Sequence, residues 1–289
     1  MIFLFLLILA LFSPPVDFFS SDNGSLTITI KLTTFNIRYD TASDSLNCWK
    51  NRKKNVCHFL MEQDLDIICL QEVLKHQLDD ICEFLEDYAY VGVGRTDGAE
   101  LGEYNPIFFK KERYECLTNG TFWLSENPDN IGKKGWDALL PRIATWIKLK
   151  EVENGKVFIV VNTHLDHKGI RSREKSILQI KDFLRLSSSE YPIILTGDFN
   201  SGEKSQVYKD ALMRGFPMND SYFIAKKREG VAYSYHGYGK KNPVSLRSRS
   251  DYVFVTYNIS VEEINIVKEK SKNGVYLSDH NPVLVKMSF

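Results

Sequence analysis

The sequence is short of the features that most quickly class a protein. Its 289 residues carry 37 Lys+Arg against 37 Asp+Glu, so there is no net charge. A strongly basic nucleic-acid coat is thereby excluded, although a local basic patch is not. There are only five cysteines (Cys48, Cys57, Cys69, Cys82 and Cys116), with no CxxC and no Cys/His zinc spacing. No HExxH helix occurs, and no GxGxxG or P-loop follows a strand, which leaves nucleotide-fold readings without support. Neither a fixed-period repeat nor a dividing linker is visible, and ordinary proportions of hydrophobic (43%) and charged (26%) residues rule out collagen, coiled coil and wholesale disorder.

Long apolar runs are also nearly absent. The single one, Ile2 to Phe12, is shorter than the roughly 20 residues a membrane-spanning helix needs. It suits the apolar region of a secretory signal peptide, with Ser13-Pro14-Pro15 as a helix breaker and Ser20 and Ser21 as small residues for cleavage. No Lys or Arg precedes it, so an uncleaved anchor stays open beside a cleaved leader over residues 1–21. Export to the secretory pathway is the expectation. Sequons at Asn23, Asn119, Asn219 and Asn258 support it weakly. Cys69, inside Ile67-Ile68-Cys69-Leu70, reads as a buried free thiol; the other four cysteines either pair, in an exported protein, or stay reduced.

Strands dominate what is present. Leu26, Ile28, Ile30 and Leu32 alternate with Thr27, Thr29 and Lys31, which predicts a half-buried strand running into Thr34-Phe-Asn-Ile37. Trp49, Val56, Phe59 and Leu60 share one helical face. Ile67–Leu70 reads as a buried strand and His76–Leu85 as a helix. Tyr88–Val93, Pro106–Lys110 and Thr121–Ser125 read as strands, and 126–141 as a loop. Ile143–Lys150 and Lys156–Thr163 flank Asn154-Gly155, a hairpin signal. Arg171–Leu186 predicts a helix, and Pro192–Leu195, Asp251–Val255 and Val283–Val285 further strands. Interleaved strands and few helices indicate one α/β (α+β) domain of two packed sheets with flanking helices, spanning residues 27–289.

Polar residues cluster just past the apolar strands: Asn36, Glu72, His164, Asp198 with Asn200, Asp251, and Asp279 with His280. Each alone has an ordinary explanation, as a turn, a cap or a satisfied core histidine. Together they form an oxygen-rich set at strand ends, where a rigid scaffold holds sites. Oxygen donors favour a hard cation, Mg²⁺ or Mn²⁺, over zinc. A hard cation beside histidines suits phosphoester hydrolysis, with a carboxylate to align or deprotonate water. A carboxylate beside each histidine is expected to favour the cationic imidazole.

Six blocks follow one another: Thr34-Phe-Asn-Ile37, Leu70-Gln-Glu-Val73, Asn162-Thr-His-Leu165, Thr196-Gly-Asp-Phe-Asn-Ser201, Ser250-Asp-Tyr-Val253 and Ser278-Asp-His280. This series resembles the endonuclease/exonuclease/phosphatase superfamily over nearly the whole chain after the leader. The resemblance implies a four-layer α/β/β/α sandwich of two mixed β-sheets. It implies metal-site roles for Asn36, Glu72 and Asp279, a water-orienting or deprotonating role for Asp198 with Asn200 beside it, and a phosphate-binding role for His280 held by Asp251. It also implies a phosphate contact for His164, with Glu103 as that histidine's carboxylate partner.

The substrate is less legible. Arg95 and Arg142 read either as substrate contacts or as buried arginines tying down the 126–141 loop; His167 and Arg171 read as substrate contacts or solvated surface. Lys and Arg gather between Lys226 and Arg249 near Tyr222, Tyr233, Tyr235 and Tyr238, as a basic aromatic grip on a phosphodiester or as a solvated loop. Gly197–Tyr208 is similar to the deadenylase branch. The expectation is a divalent-metal-dependent phosphodiester hydrolase acting on nucleic acid or nucleotides. The alternative is a phosphoesterase of a small or lipid-linked phosphate, sugar phosphates included. No feature calls for an obligate protein partner, so a monomer is expected.

Overall fold

A computed structural model of the chain describes residues 27–240, 248–268 and 274–289. The expected leader at 1–21 and part of the basic segment before Arg249 lie outside the described residues. In chain order the first half contains β1 (Thr29–Asn36), α1 (Trp49–Glu62), β2 (Ile67–Gln71), α2 (Lys75–Phe84), β3 (Tyr88–Val91) and β4 (Ile107–Lys110). There follow β5 (Tyr114–Trp123), β6 (Ile143–Glu151), β7 (Val157–His164), α3 (Ile170–Leu184), β8 (Ile193–Asp198) and α4 (Gln206–Met213). The chain closes with β9 (Asn219–Asp220), α5 (Ser221–Ile224), β10 (Lys227–Gly230), β11 (Asp251–Val255), β12 (Ser260–Ile266) and β13 (Val283–Ser288).

The strands make two sheets, ordered β10-β12-β13-β1-β2-β4-β3 and β5-β6-β7-β8-β11-β9. Both are mixed: β1–β2, β10–β12 and β7–β8 are parallel, whereas β1–β13, β6–β7 and β8–β11 are antiparallel. The alternation read in the first strand is real: Ile28, Ile30 and Leu32 are buried. They join Val160, Ile194, Val253 and Val285 in the core between the sheets. A second cluster packs Trp49, Val56, Phe59 and Leu60 of α1 onto the outer face of the first sheet. A third packs Ile177, Ile180 and Leu184 of α3 onto the second. The result is two mixed sheets between helices, as expected.

The hairpin at Asn154-Gly155 forms as read, with Lys150 opposite Val157 and Gly155 at φ 74°, where a side chain would be strained. Two departures have local causes. The predicted Thr121–Ser125 strand begins at Tyr114, because pairing with β6 carries through polar residues and a register shift at Cys116/Thr118. The elements α4, β9, α5, β10 and β12 are not among those anticipated from sequence; α4 and β12 do bury apolar residues (Val207 and Ala211; Val261, Ile264 and Ile266), whereas β9, α5 and β10 are four residues or fewer and are held by their neighbours. All five cysteines are free thiols, Cys69 fully buried. Among the described residues no helix is long and apolar enough to cross a membrane.

A buried polar link joins the sheets. Gln71, ending β2, donates to Asn162 Oδ1 of β7 at 2.7 Å, and Asn162 donates back to the carbonyls of Leu70 and Pro106. This bond fixes the two sheets relative to one another at the end where the strand-terminal polar residues emerge.

Candidate active site

Strand register assembles the site. His164, Asp198 and Asp251 are direct neighbours across β7, β8 and β11. Asn36 ends β1 opposite Gln71, which places Glu72 beside it. Asp279 and His280 lie just before β13, the strand paired antiparallel with β1. Gly197 permits the close approach of β8 to β7: a Cβ there would sit 1.9 Å from the Thr163 carbonyl oxygen. Arg38, Glu72 and Asn200 all have left-handed backbone (φ 61°, 61° and 46°), a cost that clusters at functional sites.

Glu72, His164, Asp198, Asn200, Asp279 and His280 line one cleft of about 430 Å³, with Arg38, Tyr39, Leu140, Arg142, His167 and Tyr235 among its walls; Asn36 and Asp251 bond to these lining residues. Asn36 Nδ2 bridges Glu72 Oε1 (3.1 Å) and Asp198 Oδ2 (3.0 Å). Asp198 Oδ1 accepts from the backbone N–H of Asn200 at 2.9 Å. Asp198 Oδ2 lies 3.6 Å from His164 Nε2 and 3.7 Å from His280 Nε2. Burial, then the neighbouring Asp251, pushes Asp198 up to about 7, which makes it able to take a proton near neutrality.

The two histidines differ. His280 Nδ1 pairs with Asp251 Oδ2 at 2.8 Å. Burial works against its cation, but Asp251 and Asp198 outweigh burial and hold its pKa well above the ordinary value. His164 departs from expectation. Its Nδ1 is 3.9 Å from Glu103 and has no hydrogen bond, because both Glu103 oxygens are taken by Arg95 at 2.7 Å. Burial, then Arg142 and Arg95, pushes His164 well below the ordinary value. Asn200 Nδ2 approaches its Nε2 at 3.0 Å while donating to the Leu165 carbonyl. That places the imidazole proton on Nδ1 in a neutral ring. The expectation that each histidine becomes cationic beside a carboxylate therefore holds for His280 alone.

Arg95 is tied to Glu103, the ordinary of its two readings, and Arg171 is exposed. Arg142 is a mixed case. It is buried, with Nε 3.4 Å from Asp166 and Nη2 3.1 Å from His167 Nδ1, yet its Nη1 has no partner and the residue lines the cleft. His167 is exposed at the rim, its proton left on Nε2 by the Arg142 bond. The basic segment does not form the anticipated grip where it is described. Lys227 sits on the edge strand β10 paired with Glu229 and Glu263. Arg249 is buried, forked onto Asp220, bonded to Glu203, and stacked on Tyr222. Sequence reasoning missed Arg38 and Asp166 at the site, whereas Tyr235 of the basic aromatic stretch does line the cleft. Arg38 carried a signal, a lone cation directly after Asn36-Ile37.

The donor set fits a hard cation. Glu72, Asp198 and Asp279 line the cleft together, and burial raises Asp279, a penalty on the carboxylate that a bound cation would offset. Asp198, Asp251 and His280 have ligand atoms within 4.8 Å of one another, and Asp251 Oδ1 is buried without a partner. His280 Nδ1 and Asp251 Oδ2 are already spent on each other. Asn36, Glu72 and Asp279 are the oxygen donors that the family resemblance implies for the cation.

The sequence profile described as the Endonuclease/Exonuclease/phosphatase family matches residues 33–280. The chain belongs to that family, whose members hydrolyse phosphoester bonds and are typically dependent on a divalent metal. A Bacteroides vulgatus endonuclease/exonuclease/phosphatase structure is 42% identical with a TM-score of 0.86, covering 90% of this chain and 98% of that one. The mannosyl-6-phosphatase of Bacteroides thetaiotaomicron is 32% identical with a TM-score of 0.83, covering 90% of this chain and 100% of that one. The 3'-5'-exoribonuclease subunit Ccr4 of the Saccharomyces cerevisiae CCR4-Not complex is 21% identical over 192 residues, 56% of this chain and 23% of that protein. The chain spans less than two thirds of the first curated relatives it matches, 64%, 44% and 31% of their lengths.

Proposed function

We propose that the protein is a divalent-metal-dependent hydrolase of small phosphate esters, sugar phosphates foremost. The observation that carries this reading is the compact cleft of about 430 Å³, in which a neutral His164, a cationic His280 and an unpaired guanidinium N–H of Arg142 surround Asp198. A volume of that order suits a small ligand. The mannosyl-6-phosphatase likeness over that enzyme's full length supports it, as does the diversion of Arg249 and Lys227 into local ion pairs.

In this reading Asn36, Glu72 and Asp279 hold Mg²⁺ or Mn²⁺, which withdraws charge from the phosphoryl group. Asp198 orients a water and accepts its proton, with Asn36 and the Asn200 backbone fixing the carboxylate. His280, kept cationic by Asp251, stabilises charge developing on the phosphoryl oxygens. Neutral His164, held at Nε2 by Asn200, walls the site beside Asp198 without adding a second cation, and Arg142 and His167 receive the leaving group's oxygens. The apolar leader supports export, and the chain acts as a monomer.

The second reading is a nucleotide or nucleic-acid phosphodiesterase. It is favoured by the Gly197–Tyr208 wording and by the Ccr4 likeness. Hydrolysis by the purified chain decides between them. The panel is hexose 6-phosphates, nucleotides, single-stranded DNA and RNA, and sphingomyelin, each with Mg²⁺ and with EDTA, with Asp198→Ala as control. Release of inorganic phosphate from sugar phosphates that is metal-dependent and lost in the variant is the expected result. Cleavage of nucleic acid alone would replace the substrate and keep the machinery. Turnover undiminished by EDTA would sink the metal role.

A further inference from the structure

Arg38 is a cation set among the acids assigned to a cation. Its Nη1 lies 3.6 Å from Glu72 Oε2. Its Nε and Nη2 fork onto Asp44 at 3.0 and 3.3 Å, and the guanidinium stands 4.3 Å over the Tyr39 ring. Asp44 also accepts from the Tyr238 hydroxyl at 3.2 Å. The backbone is over-determined at this point. Arg38 sits at φ 61°, its N–H donates to Asn36 Oδ1 at 3.0 Å, and its carbonyl accepts from Arg52 (2.7 Å) and Gln77 (3.0 Å). A strained residue held by this many partners has a defined position rather than a drifting side chain. The side chain is about one-fifth exposed and lines the cleft.

A fixed positive charge a few ångströms from a cation ligand has one of two consequences. If it serves chiefly as a brace for Glu72, removing it loosens the ligand and weakens cation binding. If its charge dominates, it repels the incoming cation, and removing it strengthens binding. Asp44 takes two of its three nitrogens, so Glu72 receives only a long contact from the third. Glu72 is braced instead by Asn36 and by the Tyr39 backbone N–H at 3.1 Å. The bracing role is therefore already filled.

We propose that Arg38 is a specificity-determining residue whose fixed charge holds divalent-cation affinity down until a phosphate dianion enters the cleft and offsets it. The proposal rests on the metal-site reading above and adds to it a coupling between cation and phosphate. Its consequence is that the cation binds tightly only with a phosphate ester present, which links cation occupancy to substrate.

The test is calorimetric titration of Mn²⁺ into the full chain in phosphate-free buffer, then with inorganic phosphate. It uses wild type, Arg38→Gln, Arg38→Lys and Glu72→Gln. Thermal melting reports whether each variant folds, and Arg38→Met is the second neutral variant should Arg38→Gln not fold. Removing one charge at this distance predicts cation binding roughly tenfold tighter in Arg38→Gln. Arg38→Lys, which keeps the charge, stays near wild type. Phosphate tightens Mn²⁺ binding more in wild type than in Arg38→Gln. Unchanged or weaker binding in Arg38→Gln, with Glu72→Gln also weakened, overturns the proposal and leaves the metal site standing. No Mn²⁺ binding by wild type even with phosphate present, or none lost in Glu72→Gln, overturns both.

Discussion

His164 and His280 are both buried and both reach within 4 Å of the same carboxylate, Asp198. One is driven towards the neutral ring and the other towards the cation. The difference lies in what else each meets. His280 has a dedicated carboxylate at 2.8 Å. His164 has one at 3.9 Å whose oxygens are already taken by Arg95, and Arg142 is nearby. A carboxylate in the neighbourhood is therefore not a partner. Burial sets a penalty on both cations, and only a direct, uncommitted anion outweighs it.

The comparison breaks most completely at the residue both histidines share. Asp198→Ala is expected to lower kcat by about 10²–10⁴-fold, the loss typical of a positioned proton acceptor. Steady-state kinetics on the substrate found active would check it, and near-wild-type turnover would remove Asp198 from the chemistry. Next is Asp251→Asn, which makes His280 resemble His164. Without the anion its pKa falls, so less of the imidazole is cationic at neutral pH and more of the cation returns as pH is lowered. Activity should drop roughly 10²-fold at neutral pH and less at lower pH. A pH–rate profile of unchanged shape would count against the assignment. In the same variant the pH-linked contribution of His280 to stability shrinks. His280's raised folded-state pKa contributes stability that is complete below the unfolded value and fades as pH climbs through the folded one. Denaturation across that window should show the pH slope flattened in Asp251→Asn.

Arg142→Met sharpens the other side. Removing that charge should raise the His164 pKa, followed by NMR titration of the imidazole, and cost roughly 10–100-fold in kcat/KM if Nη1 meets substrate. A His164 titration that does not move would leave burial and Arg95 as its causes. The smallest effect tests the same lesson far from the cleft. Lys181 is buried against the Ala211 and Phe216 carbonyls with no acid, and burial lowers it to about 8. The unfolded chain then binds more protons above that value, so wild-type stability should rise with pH from about 8 towards the ordinary lysine pKa. Lys181→Met should lack that rise, a difference on the order of 1–2 kcal/mol. Identical slopes in the two proteins would show the lysine to be ordinary.

Much of this was legible before any coordinates. The alternation at Ile28–Leu32, the Asn154-Gly155 turn and the helical face of Trp49, Val56, Phe59 and Leu60 each reflect local periodicity set by burial. The polar residues ending those strands were legible for the same reason, since an apolar run must stop where the sheet does. Glu103 was harder. It stands beside His164, but Arg95, eight residues away in the chain, holds it through a fork no spacing rule announces. Arg249 looked like a free cation because Asp220 lies twenty-nine residues off and Tyr222 covers it only after folding.

By itself, the sequence determined the strands and helices, the family and the kinds of groups at the site. These follow from periodicity and residue chemistry, which are carried along the chain. Tertiary structure alone decided which histidine meets an uncommitted carboxylate, that Arg142 keeps one N–H unpaired, and that Arg38 stands against Glu72. Those outcomes depend on distances of one or two ångströms between segments far apart in sequence, and at that range burial and Coulomb terms are large enough to reverse a charge.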